Sequence, residues 1–350
     1  MKELRFLITR IDRIGDVVLS TPLPREIKRK YPGSHISVLV RNYTRNIYVN
    51  NPHIDSIITY DNADGSKKGF WKMLNELRKY KFSYAFMLLP DERLNYLIFL
   101  AGIPVRIGVG HKLYQMLTFT KYVDRKKYNP LRHESDYNLD MLRKIGIPVN
   151  DNTPEIFLSQ DEEQEARNLK KELLGSAELL IGINVSSGNS SPNLNPNEYK
   201  KIITSLVKDP KIKVAVMDKE IPTVVNNLEG VIYPKGNKHL RPSIINFSIL
   251  DILISNSTGP MHICSAFKVP TLAVFCPLTA CSPELWGPLG NLSRIIMPTQ
   301  KYCSTQCPGD PKKCDYSKEG GLNSEYVVEQ LYKFMNKLND KCCYLKPNTE

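Results

Sequence analysis

Short apolar runs of strand length alternate with amphipathic stretches along most of this chain. Leu4–Ile11 reads as a first strand, and Asp12-Arg13-Ile14-Gly15-Asp16 as the turn after it. Val17–Pro32 reads as one helix with Val17, Leu19 and Ile27 turned inward and its basic residues outward. His35–Val40 is a β-branched run closed by Arg41-Asn42, so strand, helix and strand fall within one βαβ unit. The alternation continues through a strand over Ile54–Tyr60, a helix over Phe70–Lys79, a strand over Tyr84–Pro90, a helix over Leu94–Ala101 and a strand over Val105–Gly110. Lys121–Pro130 is basic and irregular, and a helix spans His133–Ile145.

After the polar, turn-prone Asn150–Pro154 and the charged helix Asp161–Leu174, a second alternation begins. Its strands are Leu179–Ser187, Lys213–Asp218, Asp251–Asn256 and Thr271–Pro277. Its helices cover Asn197–Val207 and Gly259–Phe267, and a turn-rich loop occupies Gly188–Asn195. Sustained β/α alternation predicts parallel sheets with helices on both faces, an α/β fold. A chain of 350 residues is long enough for two such domains, which we place at 1–155 and 156–350, the second ending in a helix and tail.

Composition narrows the class. With 41% hydrophobic and 24% charged residues, and no window near the roughly 18 apolar residues of a membrane span, the chain reads as a soluble protein. Charges interrupt the apolar N-terminal run, which reads as a strand and not a signal peptide, so the expected location is the cytoplasm. Most of the eight cysteines then read as free thiols. The net charge of +12 is one-sided: residues 1–150 hold 26 Lys+Arg against 14 Asp+Glu, and the remainder is balanced. Such a domain attracts an anionic partner, whether nucleic acid, an acidic membrane surface or a phosphorylated glycolipid. No helix-turn-helix, RNA-binding aromatic motif or zinc-finger spacing is present, so no nucleic-acid partner is expected. A dinucleotide dehydrogenase would carry G-x-G-x-x-G after its first strand, and this chain does not.

Three motifs carry chemistry. In Arg10–Pro22, Gly15 permits a tight turn and Asp16 lies where open α/β sheets bind ligands, placed either to take a proton from a hydroxyl or to cap the following helix. In Ser255–His262, Ser257-Thr258-Gly259 opens a helix with Pro260 in its first turn. Backbone N–H groups and the helix dipole there suit a phosphate. Trp286-Gly287-Pro288-Leu289-Gly290 follows a later strand. Together the three resemble the signatures of glycosyltransferase family 9, the bacterial heptosyltransferases.

The resemblance implies a GT-B fold, two Rossmann-like domains facing an interdomain cleft. It also implies inverting transfer from a nucleotide-diphosphate sugar, ADP-heptose in the family, to a lipopolysaccharide-core or related glycolipid. Asp16 is then the general base, with Asp12 expected to pair with Arg10 or Arg13. Donor contacts fall on Ser186, Ser187, Ser257, Thr258, Gly259 and His262, and on Glu220 as a ribose-binding acid; His262 also reads as a structural histidine. Where many members have Asp, this chain has Ser257. Where they place a Lys or Arg ahead of Trp-Pro, it has Pro192-Asn193-Leu194-Asn195-Pro196, leaving Lys219 and Lys235 as candidate cations. A nucleotide-sugar-binding homologue without transferase activity, and a transferase using another sugar for a surface polysaccharide, stay open.

Acceptor contacts are expected from the basic first domain, at Lys67, Lys68, Arg93 and Arg106, with His111 nearby. An anionic acceptor adds the expectation of peripheral contact with the inner membrane's cytoplasmic face. Cys303, Cys307 and Cys314 lack the paired spacing and nearby histidine of a zinc site, so neither a metal nor a cofactor is expected.

Overall fold

The computed structural model describes residues 3–188 and 191–344. Asn189 and Ser190 of the expected polar loop, the tail 345–350 and the side chains of Cys342 and Cys343 lie outside the described residues. The chain divides after Ser159 into two units.

The first unit is built on strands β1 (Arg5–Arg10), β2 (His35–Val40), β3 (Ser56–Thr59), β4 (Tyr84–Met87), β5 (Val105–Val109) and β6 (Lys121–Val123). They form one parallel sheet in the order β3-β2-β1-β4-β5-β6. β1 and β2 are buried along nearly their whole length, which is why apolar residues run consecutively in them, Phe6-Leu7-Ile8 and Val38-Leu39-Val40, instead of alternating. Helix Phe70–Tyr80 buries Met73, Leu74 and Leu77, one stripe at helical spacing, and helix Glu92–Leu100 buries Leu94, Leu97 and Ile98. Both stripes join Leu7, Leu39 and Ile58 of the sheet in one core. Asp91 starts the second helix by accepting the Leu94 N–H at 2.7 Å.

The second unit repeats the plan with β7 (Leu179–Ile183), β8 (Ile212–Val216), β9 (Val231–Ile232), β10 (Ile252–Asn256), β11 (Thr271–Val274) and β12 (Ser293–Ile296). Its parallel order, β9-β8-β7-β10-β11-β12, is that of the first sheet, with β7 in place of β1 and β10 in place of β4. Ile181, Ile183 and Ile254 of the sheet, Tyr199 and Ile203 of helix Pro196–Leu206, and Val327 and Leu331 of helix Ser324–Tyr344 share its core.

Three expectations need correction. The helix after β1 is broken into Ile14–Val18 and Pro22–Lys30. The Ser20 and Thr21 hydroxyls donate back to the Val17 and Val18 carbonyls, each at 2.7 Å, and the N–H-less Pro22 and Pro24 allow only a fresh start. Gly15 lies inside the first helical piece, so the turn after β1 is made by Asp12 and Arg13. Lys121–Val123 is not irregular but an edge strand, paired to β5 from Ile107↔Lys121 to Val109↔Val123. Only Val123 of it is buried, so no apolar run marks it. No helix among the described residues is long and apolar enough to cross a membrane.

Candidate active site

In both sheets the strand order reverses beside the central strand, between β1 and β4 and between β7 and β10. Ligands of such sheets bind at the carboxyl ends of these strands. Asp16 follows β1, Ser186 and Ser187 follow β7, and Ser257 follows β10, so the main candidates sit at equivalent places in two sheets.

At the end of β1 the organising residue is Arg10, whose side chain is almost wholly buried. Its Nε donates to Asp12 Oδ1 at 2.8 Å and its Nη2 to Asp16 Oδ1 at 2.5 Å. Nη1 donates to Leu88 O, to Glu134 Oε1 at 3.3 Å and to Asn138 Oδ1 at 3.0 Å. Arg125 pairs with the other Glu134 oxygen at 2.7 Å. Three carboxylates thus share two guanidiniums. Burial disfavours the Arg10 charge, but the carboxylates outweigh it and hold its pKa above the ordinary value. Burial pushes the Asp12 carboxyl up to about 6; Arg10 opposes the shift and the nearby Asp16 adds to it. Asp16 does not cap its helix: the N-cap is Arg13, and no side-chain cap bond is made there.

At the end of β7 the organising residue is Asp218, which follows β8. Its carboxylate accepts the N–H groups of Val185 at 2.8 Å and Ser186 at 2.7 Å, the Ser186 hydroxyl, and Asn184 Nδ2 at 3.0 Å. Burial raises its pKa against these donors. Asn184 Oδ1 then accepts the Thr258 hydroxyl at 3.0 Å. That hydroxyl is therefore turned away from the helix Gly259–Ala266, which has no side-chain cap bond. The Gly259 and Met261 N–H groups at its start lie outside the intrahelical ladder, as at any helix start, and Pro260 has none. His262 is buried in that first turn. Glu220, Lys219 and Lys235 are exposed.

A cavity of about 470 Å³ opens beside this loop, lined by Ser186, Ser187, Gly188, Asn193 and Asn195, and by Lys312 and Lys313. The Asn193 N–H donates to Cys314 O at 3.3 Å, joining the loop to the cysteine-rich segment. Asn193 Nδ2 donates to Val185 O at 2.8 Å, and the Tyr199 hydroxyl donates to Asn193 Oδ1 at 3.1 Å. The residue standing where a cation was expected is thus a structural bracket. Cys303 and Cys314 pack against the core, and no group that could hold a metal occurs among the described residues.

Of the acceptor candidates, Lys68 and Arg93 come together: Arg93 donates to Lys68 O, and its guanidinium lies 5.2 Å from the Tyr60 ring centroid and 5.9 Å from that of Phe70. Both follow the carboxyl ends of their strands, β3 and β4, as does Lys67, whose backbone bridges to Asp61. Arg106 lies apart, second in β5 and so near the opposite edge of the sheet. It donates to the carbonyls of Ile103 and Thr118, and stacks over Phe99 at 5.2 Å. His111 pairs with Asp124 at 3.6 Å.

No protein-family model matches the chain. A Haemophilus influenzae protein classed as a glycosyltransferase is 26% identical over 307 residues, which are 83% of this chain and 88% of that protein. Lipopolysaccharide heptosyltransferase 2 of Escherichia coli is 22% identical over 352 residues, 94% of this chain and 97% of its own. A solved glycosyl transferase family 9 structure from Veillonella parvula matches with a TM-score of 0.76 at 24% identity, covering 96% of this chain and 97% of that one. The chain is similar in sequence to these glycosyltransferases and shares the fold of the family 9 structure. The solved Escherichia coli ADP-heptose lps heptosyltransferase II shares the fold of this glycosyltransferase, with a TM-score of 0.73 at 17% identity over 96% of this chain and 100% of that one.

Motif reading missed several residues of this glycosyltransferase's candidate site. Asp218 lies in a predicted strand end but belongs to no motif. Lys312 and Lys313 lie in a segment whose cysteines alone drew attention, about 120 residues from the loop they face. The one available signal was the lysine pair itself, together with the missing cation near Asn193.

Proposed function

We propose that this chain is an inverting glycosyltransferase that moves heptose from a nucleotide-diphosphate donor, ADP-heptose, to a lipopolysaccharide-core or related glycolipid acceptor. The observation that carries the reading is the matched pair of strand ends: a partly exposed carboxylate held by a buried arginine after β1, and a small-residue loop with two lysines after β7. The names of the Escherichia coli relative and fold neighbour support heptose as the sugar.

In the proposed step the acceptor hydroxyl oxygen bonds to the anomeric carbon as the bond from that carbon to the diphosphate oxygen breaks. The bonding pair leaves with the diphosphate, and the hydroxyl proton passes to Asp16. Arg10 holds Asp16 through Oδ1, which leaves Oδ2 to receive the proton. Arg10 is a positioning residue. In the second unit Ser187, Ser257, Thr258, Gly259 and His262 lie at or near the donor phosphates, and the Ser186 hydroxyl, bound to Asp218, keeps the loop in shape. Lys312 and Lys313 supply the cation missing at Asn193, meeting the charge that grows on the leaving group. Glu220 is the candidate ribose contact. Lys67, Lys68 and Arg93 are the candidate acceptor contacts at the carboxyl edge of the first sheet; Arg106 is the remaining candidate.

The test is a panel of ADP-, GDP- and UDP-sugars with a saccharide acceptor, followed by determination of product anomeric configuration. Transfer from ADP-heptose with inversion supports the reading. Binding without transfer would leave only the non-catalytic homologue, and absence of binding to any nucleotide sugar at millimolar concentration would sink the donor site.

A further inference from the structure

We propose that residues 111–128 of the first unit form a docking surface for an anionic lipid bilayer. The short helix Leu113–Leu117 and the residues after it are turned inside out: polar side chains face the protein and large apolar ones face solvent. Gln115, Thr118 and Thr120 are buried. Gln115 Nε2 donates to Val109 O at 3.0 Å, and its Oε1 accepts the Lys112 N–H at 2.9 Å. The Thr118 and Thr120 hydroxyls lie 3.0 Å apart, and both bond to the buried Asn95. These bonds anchor the segment by its polar side. Leu113 and Met116 are each 68% exposed in consequence, Leu117 57% and Phe119 78%. Phe119 also holds a left-handed backbone, φ 52°, a conformation that costs a bulky side chain energy and here directs it into solvent.

The patch is concentrated. Of fourteen large apolar side chains exposed among the described residues, six lie between Leu113 and Tyr128. Around them Lys112, Lys121 and Lys126 are exposed, and Lys144 Nζ lies 5.8 Å from the Tyr122 ring centroid. Residues 111–128 carry five Lys/Arg, of which Arg125 is bound to the buried Glu134, against one acid, Asp124, which faces His111. Apolar side chains long enough to enter the headgroup region, rimmed by lysines, match the needs of an anionic bilayer surface. A protein partner fits less well, because docking surfaces between proteins are depleted in lysine. A second copy would set like charge against like. The surface adds a partner to the glycosyl-transfer reading without resting on it: Arg125 of this segment binds Glu134 beside the base, but the exposed side chains substituted below belong to neither donor site nor base.

The experiment is co-sedimentation of the full chain with vesicles of phosphatidylglycerol and phosphatidylethanolamine, and with phosphatidylcholine vesicles, with no nucleotide sugar present. Binding to the anionic vesicles alone is expected. The variant Leu113→Ser/Met116→Ser/Phe119→Ser should weaken it by about tenfold or more, and Lys121→Ala/Lys126→Ala should flatten its salt dependence. The substituted side chains are exposed and the anchoring Gln115 and Thr118 are kept, so an unchanged melting temperature is expected and checks folding. A Phe119→Trp variant should show a blue shift of its fluorescence on anionic vesicles. Equal binding by the triple variant, equal binding to phosphatidylcholine, or no blue shift would overturn the proposal. So would vesicle-free self-association that the triple variant abolishes, which would assign the face to a second copy.

Discussion

At the carboxyl end of β1 the first unit mounts three carboxylates around two guanidiniums, whereas the equivalent end of β7 carries one buried carboxylate amid amides and hydroxyls. Strand order and parallel pairing are the same in both sheets. Topology therefore decides where each site sits, and the side chains decide what it does. A cluster with more acid than base suits the holding and accepting of a proton. A polar network whose one carboxylate is already saturated by donors, with lysines at its rim, suits a ligand that brings its own negative charge.

The comparison breaks most directly at Asp16. Asp16→Asn should lower turnover by about 10²–10⁴-fold while the dissociation constant for the nucleotide donor stays unchanged; a comparable loss of donor affinity would mean that the two strand ends do not divide the work. Arg10→Met should come next. It leaves the carboxylates of Asp12, Asp16 and Glu134 with Arg125 alone, and urea unfolding should show a loss of about 3–5 kcal/mol. In the second unit Asp218→Asn should cost less, about 1–3 kcal/mol, because the single Asn oxygen still accepts one of the Val185 and Ser186 N–H groups, which bond to different oxygens of Asp218. If the order of these two losses is reversed, the ionic cluster is not the more demanding of the two structures.

Smaller effects sharpen the contrast. Lys312→Ala/Lys313→Ala should weaken ADP binding by about tenfold, the scale of one charge-assisted contact, and leave adenosine binding unchanged; an equal loss for both ligands would show that the lysines only shape the loop. The smallest expected effect is a pH signature of Asp12. Its carboxyl titrates near 6 in the folded protein, above the ordinary value of about 4, so the unfolded chain ionises first. This contribution to stability is full below about pH 4 and is lost as pH rises through about 6. At Asp55, Asp151 and Glu198 burial is outweighed by hydrogen-bond donors and the shift runs the other way. The Asp12 component should therefore appear as the difference between wild-type and Asp12→Asn unfolding free energies measured across this range. A flat difference would remove Asp12 from the strained part of the cluster.

Much of the fold was legible because buried strands of a parallel sheet must be apolar on both faces. His35–Val40 was read with its observed ends, and the helices at Phe70, Pro196 and Gly259 were read to within a residue or two. What escaped were three of the four edges: Lys121–Val123 and Val231–Ile232, each with no more than one buried side chain, and Ser293–Ile296, where only Ile296 is buried; the fourth, Ser56–Thr59, was read from its Ile57-Ile58 pair. An edge strand held on one side by its neighbour needs no apolar run. The break at Ser20-Thr21 escaped because helical spacing continues across it while the hydroxyls and prolines interrupt the backbone bonds.

The sequence by itself determined two rounds of β/α alternation, the place of Asp16 after the first strand, the small-residue turns after β7 and β10, and the one-sided charge. These depend on residues close together in the chain, where periodicity and turn chemistry act. The tertiary structure alone decided that Arg10 reaches Glu134 on a distant helix, that Asn193 bonds to Cys314 and so brings Lys312 and Lys313 beside the loop after β7, and that the Leu113–Phe119 segment faces outward. Amphipathic spacing tells how polar and apolar sides are divided, but not which side is held. Here the bonds to Asn95 hold the polar side, and the hydrophobic side is left to the surroundings.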